Sequence, residues 1–593
     1  VPNFTLNVDN LLTLYREKRH DALTDEIMAF IGFALTNGLE YYTEQDQMAI
    51  DVMATTLFTI IAAEDYEIPE DKVLWFIIAA HLFSNLAAVT SHGTTDEYLK
   101  IVLKQKRNLP KVLTLYNVRC KTEISLKALF EANRNAATCW WVKLLEGSRG
   151  ILPEHQAKLE RIATDPDALA LYSLAQNNYR MFDWLTHAAF TISYIKPEAE
   201  REVRTAINKE ISNIVIKKKD DIKYDFKKIL VVSHFMRKEH AVYKSIVEYF
   251  RALKPKYHLT YLNLSPDTKH HLLDYGLFDD IIFATNDKGY LQKESIQKVE
   301  EGDFGIIIYP DISLSFNSLA LASARLAPIQ ISTYGHPVSS YLDNMDYYIA
   351  GQATEVKGTY KNYSERLVLI PGQGNCPQRQ TYLPSMPEDS EYLVSCSWGF
   401  LKLNSSMLEL LQRIRDKATK PIKYVFAGIH AQSFNLLAIK KEMANYFGAD
   451  GFTITPTLKH DSYMKHIEVC KFGVDSYPFG GFNRVIDTLL TGRPILVLEG
   501  NKAYNRMNAA MLRRAGLGRL VVESFDELEA HALKIIDEEE YRLELMDEIR
   551  KADLFNEDEA KYFRKAIDFL VDNHGAMQTF KAKSPIKIRR DNA

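Results

Sequence analysis

The sequence predicts an α/β protein: two Rossmann-like halves facing a cleft, preceded by an all-α domain. Three observations carry this expectation. Glycine is scarce at the start, with five in residues 1–220 and 21 after them. The same early region repeats apolar residues at helical spacing, as in "MAIDVMATTLFTIIAAEDY" and "DEYLKIVLKQKRNLPKVLTLY". Beyond it, short apolar strands alternate with helical segments, the pattern of parallel sheets with crossover helices.

Taken in order, residues 1–225 read as helical, with Pro69, Pro153 and Pro197 placed where helices can begin. The run "KKKDDIKYDFKK" reads as a solvated linker or helix end. Residues 226–385 form the first Rossmann-like half, with strands in "KILVVSH", "YHLTYLNLS", "DDIIFAT" and "DFGIIIYPD". A Pro-, Gly- and polar-rich linker, "GQGNCPQRQTYLPSMPEDS", leads to the second half, residues 386–575. Its strands are "EYLVSCSW", "IKYVFAG", "GFTITP", "KFGVDS" and "RPILVLEG". Residues 576–593, ending "KAKSPIKIRRDNA", read as a basic, disordered tail.

Composition narrows the function classes. A chain of 593 residues is too long for one core. A net charge of −4 argues against a non-specific nucleic-acid binder. No apolar run reaches the length of a membrane span, and no signal peptide is visible, so a cytoplasmic location is expected. The five cysteines are scattered, none in C-x-x-C spacing, and read as buried thiols of a reducing compartment.

Ligands of such sheets bind beyond the carboxyl ends of the strands, and four stretches fall there. In "YPFGGFNRVIDTLLTG", a strand ending near Ser476 and a helix starting near Phe482 would put the Gly480 and Gly481 amides at a helix N-terminus, where an anion is favoured. Asn483 and Asp487 are four apart on one helical face, and Asp487 is placed to accept from a ribose hydroxyl pair; the alternative is a plain turn with Asn483 as a cap. Lys402, in "SCSWGFLKLNSSMLELL", is either a point charge for a phosphate or a surface lysine. His336, in "YGHPVSS", lies after another strand, as a contact to a diphosphate or sugar or as a structural loop histidine; the pair His234 and His240 follows the first strand, with His240 near a helix start.

Together "SHFMRKEHAVYKS", "RLAPIQISTYGHPVSS", "LKLN" and "YPFGGFNRVIDTLLTG" resemble the bacterial cytoplasmic glycosyltransferases that modify high-molecular-weight adhesins. These are relatives of O-GlcNAc transferase in glycosyltransferase family 41. The match runs from about residue 180 to 570, and the helical front resembles that family's all-α domain.

The resemblance implies a GT-B fold and inverting transfer of a hexose, glucose first, from a UDP-sugar to asparagine in Asn-X-Ser/Thr of protein acceptors such as adhesins. It assigns Lys402 and Asn483 to the diphosphate, Asp487 to the ribose, and Thr457, Leu458 and His460 to the uracil-side loop. His240 matches a functional histidine between donor and acceptor, and His234 falls on the acceptor side. In "FDWLTHAAF", Asp183 matches an acceptor-site carboxylate, with His187 and Phe190 on the same side; read alone, Asp183 is a helix N-cap. The chain departs from the family in "SWGFLK", in "GGFN", and at Phe190, where the family has tyrosine. No cofactor and no metal are expected, because the one Asp-X-Asp, Asp165-Pro166-Asp167, sits where a helix starts.

Overall fold

The computed structural model describes residues 6–36, 44–147, 150–171, 180–212, 223–265, 270–287, 290–385, 391–429, 433–455, 458–579 and 584–590. The chain divides into two compact units. One comprises Val1–Lys196, Gly399–Gln412 and Gly428–Thr457; the other comprises Pro197–Trp398, Arg413–Ala427 and Leu458–Ala593. The helical region is therefore discontinuous in sequence, and the helix Glu200–Ser212 belongs to the second unit rather than to the helical front.

Apart from the strand Phe452–Thr455, the elements described in the first unit are helical, as expected of the front of the chain. Its helices include Val8–Arg16, Ala80–Val89, Arg134–Gly147, Pro153–Ala163 and Arg180–Ile195. Local signals set the ends. Asn7 accepts from the Asn10 amide, Pro153 opens its helix, and Asp165 accepts from the Ala168 amide. The Asp-X-Asp stretch is thus a helix start. Trp140 and Trp141 are fully buried, and their indole N–H groups donate to the Tyr116 and Ile162 carbonyls. Within this unit the helix Ser433–Phe447 brings in Glu442, a buried carboxylate that accepts from Arg119 Nε and the Ile151 amide, both at 2.6 Å.

The second unit contains two parallel sheets. The first uses β1 (Asp225–Ser233), β2 (His258–Asn263), β3 (Asp280–Phe283), β4 (Phe304–Tyr309), β5 (Ile329–Thr333), β6 (Tyr347–Gly351) and β7 (Arg366–Ile370). The second uses β8 (Tyr392–Cys396), β9 (Ile422–Ala427), β10 (Phe472–Val474), β11 (Ile495–Leu498) and β12 (Val521–Val522), in the order β9-β8-β10-β11-β12. The strand Phe452–Thr455 falls in the first unit. Strands β4 and β10 are buried along their whole length, which is why they read as unbroken apolar runs.

The tail corrects the sequence reading. Ile586–Lys587 forms β13, pairing parallel with Val368 and Leu369. The first sheet then runs β13-β7-β6-β5-β4-β1-β2-β3. Ile586 and Ile588 are buried, and the Ile588 amide donates to the Leu369 carbonyl. A basic composition did not prevent ordering, because the edge of β7 supplies backbone partners and the two isoleucines supply apolar area. No helix among the described residues is long and apolar enough to cross a membrane.

Candidate functional site

In the second unit, the carboxyl end of β10 leads through Asp475–Gly481 into the helix Phe482–Leu490. The turn is held from inside. Asp475 is buried and accepts from the Gly481 amide at 2.9 Å and from the Asn508 side chain. The Gly480 amide donates to the Tyr504 carbonyl at 3.0 Å. A Cβ on Gly480 would stand 2.8 Å from that carbonyl, so the close approach requires glycine.

This corrects the expectation for Gly480 and Gly481. Their amides are taken up by the protein itself and are not presented to an anion. The next two, on Phe482 and Asn483, have no hydrogen-bond partner among the described residues, and they open the helix. The favourable end of the helix dipole is thus offered one step further along the chain.

Asn483 and Asp487 share a face, as their spacing predicted. The Asn483 side-chain N–H lies 3.4 Å from the Ala241 carbonyl and 3.5 Å from Ser245 Oγ, while its Oδ1 is buried without a partner among the described residues. Asp487 is buried; its Oδ1 lies 3.4 Å from His460 Nε2, and its Oδ2 makes no hydrogen bond among the described residues. Leu458 is half-buried just before the His460 helix, and Thr457 lies outside the described residues. Arg484 went unnoticed in the sequence. Its Nη1 donates to the Ser397 carbonyl at 2.6 Å and to Ala427 at 3.0 Å, tying the helix to the ends of β8 and β9.

The helix Ala241–Leu253, which Asn483 approaches, begins at His240. His240 is its N-cap, and its Nδ1 accepts from the Val242 amide at 3.2 Å. That bond assigns the proton to Nε2. Burial, then Arg237 and His234, push the ring's pKa down to about 4, so His240 is neutral at pH 7 and offers an N–H donor. The rings of His234 and His240 both pack on Phe235, at 4.6 and 4.4 Å. His336 is 3% exposed and stacks on Phe479, which stacks on Tyr504. It supports the turn through Phe479 and does not face open solvent.

Beneath the His234–His240 loop lies Asp311, fully buried at the end of β4. Its Oδ2 accepts from Ser233 Oγ at 2.8 Å and the Phe235 amide at 3.1 Å. Burial raises its carboxyl to about 6, against the lowering effect of those bonds. A folded-state pKa above the unfolded value favours folding most below about 3.8, and that contribution is lost as pH rises through 6. Asp311→Asn keeps an acceptor and removes the titration. Between pH 4 and 7 its stability relative to the parent should move by about 2–3 kcal/mol in the variant's favour. Urea unfolding at both pH values checks this, and a pH-independent difference contradicts it.

In the first unit, Asp183 stands in the first turn of Arg180–Ile195 and so is not the N-cap. Although the residue is exposed, desolvation of its carboxyl by the surrounding protein raises its pKa; His187 opposes that shift and Glu146 adds to it. His187, one turn later, is exposed with Nδ1 3.9 Å from Glu146 Oε1, and Phe190 packs on Tyr194. The turn Phe400–Lys402 packs against this same helix, closed by the Lys402 amide donating to the Gly399 carbonyl. Asn404 Oδ1 then accepts from the Met407 amide at 3.0 Å and caps the next helix.

No protein-family model matches the chain. It is 24% identical over 412 residues to a UDP-glucose:protein N-beta-glucosyltransferase of Actinobacillus pleuropneumoniae serotype 5b, covering 66% of this chain and 63% of that protein. The serotype 7 counterpart is 26% identical over 282 residues, covering 45% of this chain and 44% of that protein. The chain thus spans less than two thirds of the curated relatives it matches. Among solved structures, an O-GlcNAc transferase mutant of Thermobaculum terrenum superposes with a TM-score of 0.55 at 17% identity, covering 86% of this chain and 98% of that one. The fold is GT-B, with a helical region before it. The relatives bear out the resemblance carried by the motifs.

Proposed function

We propose that the chain is an inverting, metal-independent glycosyltransferase. It moves a hexose, glucose first, from a UDP-sugar to asparagine in Asn-X-Ser/Thr of a protein acceptor. The observation that carries this reading is the start of the Phe482–Leu490 helix: two amides and a buried Asn483 oxygen with no partner among the described residues, and Asp487 one turn on. The two Actinobacillus relatives, named for UDP-glucose and protein, support UDP-glucose as donor and protein as acceptor. The second reading is transfer to Ser/Thr; plant relatives named as probable UDP-N-acetylglucosamine peptide transferases, such as that of Hordeum vulgare at 22% identity, support a peptide acceptor in either case.

In the proposed chemistry the amides of Phe482 and Asn483 stabilise the charge that develops on the departing diphosphate, a role that the motif resemblance also gives to Lys402. Charge stabilisation of this kind is the dominant expected term. Asp487 receives the ribose hydroxyls. His240, holding its proton on Nε2, donates to the sugar or leaving group and does not serve as a base. An amide nitrogen is a poor nucleophile, so Asp183 accepts a hydrogen bond from one of its N–H groups and orients it for attack opposite the leaving group; as the N–C bond forms, the bond to UDP breaks and the now acidic N–H proton passes to the Asp183 carboxylate. A raised carboxyl pKa makes Asp183 a slightly better acceptor, yet still far too weak to deprotonate an amide outright.

Asp183→Asn should bind UDP as the parent does and transfer at least about 10²-fold more slowly. Calorimetry with UDP and single-turnover transfer check this, and loss of UDP binding would make Asp183 a structural residue. Turnover should persist in excess chelator. Collapse in chelator with recovery on adding manganese would overturn the metal-independent mechanism.

A further inference from the structure

The first unit holds an open cavity of about 580 Å³ that the donor chemistry does not use. Its size falls within the roughly 300–1,000 Å³ of ligand-holding clefts. One wall is polar. Glu146 pairs with Lys143, whose ammonium also lies 4.2 Å from the centre of the Trp184 ring, and His187 stands beside Glu146. Asn435, in the first turn of Ser433–Phe447, contributes a buried Oδ1 with no partner among the described residues. Leu82, Phe434 and Phe400, the last of these two residues before Lys402, add an apolar part to the lining.

The position matters as much as the lining. His187 is one helical turn after Asp183 on the same face, and the Asp183 carboxyl feels both His187 and Glu146. An asparagine amide held at Asp183 therefore has its neighbouring residues at the mouth of this cavity.

Resting on the proposed transfer to asparagine, we infer that this cavity receives the acceptor residues flanking the asparagine and sets their sequence preference. Lys143 and Glu146 neutralise one another, so the wall selects against a charged flanking side chain. The unpartnered Asn435 oxygen asks for a hydrogen-bond donor, and the apolar part of the lining asks for carbon. The favoured flanking residue is neutral, donates one hydrogen bond and shows an apolar face.

The test is transfer from UDP-glucose to a panel of Asn-X-Thr peptides varied at each flanking position, for the parent, Asn435→Leu and Asn435→Asp. The parent should disfavour acidic and basic flanks. Asn435→Leu should raise peptide KM about 10-fold at unchanged KM for UDP-glucose, the loss of one hydrogen bond to a neutral group. Asn435→Asp, nearly the same shape, should shift preference toward lysine- and arginine-flanked peptides. Unchanged flanking preference in both variants, or a UDP-glucose KM that moves with the peptide KM, overturns the inference and leaves the proposed reaction standing. A parent that glucosylates no asparagine peptide overturns both.

Discussion

Lys402→Ala should lower kcat by about 10²–10³-fold, an activation cost of about 2.7–4 kcal/mol, with saturating UDP-glucose. The backbone around it should be undisturbed. The turn is closed by the Lys402 amide to Gly399, and Gln156 Oε1 accepts from the Ser405 amide and hydroxyl at 2.8 and 2.9 Å. The lysine side chain is half-buried at the surface of that turn and is not part of a core. Lys402→Arg should restore only part of the rate, because a planar guanidinium does not replace a compact ammonium at a diphosphate. Stopped-point assays across the three proteins decide it. Turnover within a few-fold of the parent in Lys402→Ala would remove the residue from the mechanism.

The largest expected effect on stability lies elsewhere in the helical unit, at Arg119. Its guanidinium donates to Glu442, to Ser84 Oγ at 3.1 Å and to Asn85 Oδ1 at 2.8 Å, and both members of the ion pair are buried. Burial would raise the Glu442 carboxyl, but Arg119, then His155 and the Ile151 amide, bring it down to about 2. Arg119→Ala leaves a buried carboxylate without its counter-ion and should cost about 3–5 kcal/mol. Replacing both, as Arg119→Met with Glu442→Leu, should recover much of that loss. Because the folded pKa lies below the unfolded 4.5, Glu442 contributes above pH 4.5 and the contribution is lost as pH falls toward 2. Urea melts of the three variants at pH 7 test the ordering. A single Arg119→Ala as stable as the double variant would contradict it.

The placement of the helix Phe482–Leu490, and of Asn483 and Asp487 on its one face, was legible because glycine, proline and spacing are local signals. The occupation of the Gly480 and Gly481 amides was not. Their partners, Tyr504 and Asp475, are set by tertiary folding, and the helix opens on the next two amides, of Phe482 and Asn483. For the same reason Arg484 escaped notice: its acceptors are carbonyls at the ends of two distant strands. Strands β6 and β7 are five residues each, fully or almost fully buried, and lack the alternation that marks a half-exposed strand. The discontinuous helical unit was hidden too, because Gly399–Gln412 and Gly428–Thr457 carry the βα pattern of the second half while packing with the first unit. Asp183 shows the reverse case. A helix start was readable, but the helix begins at Arg180, which turns a supposed cap into an available carboxylate.

The central claim is that the donor group ends up on an asparagine nitrogen. The most direct measurement incubates the chain with UDP-glucose and an Asn-X-Thr peptide in chelator, then locates any mass gain by fragmentation. The account predicts one added hexose on the asparagine, absent from the matched Gln-X-Thr peptide and reduced at least about 10²-fold in Lys402→Ala. A hexose found on the threonine, or none with any UDP-sugar, would contradict it.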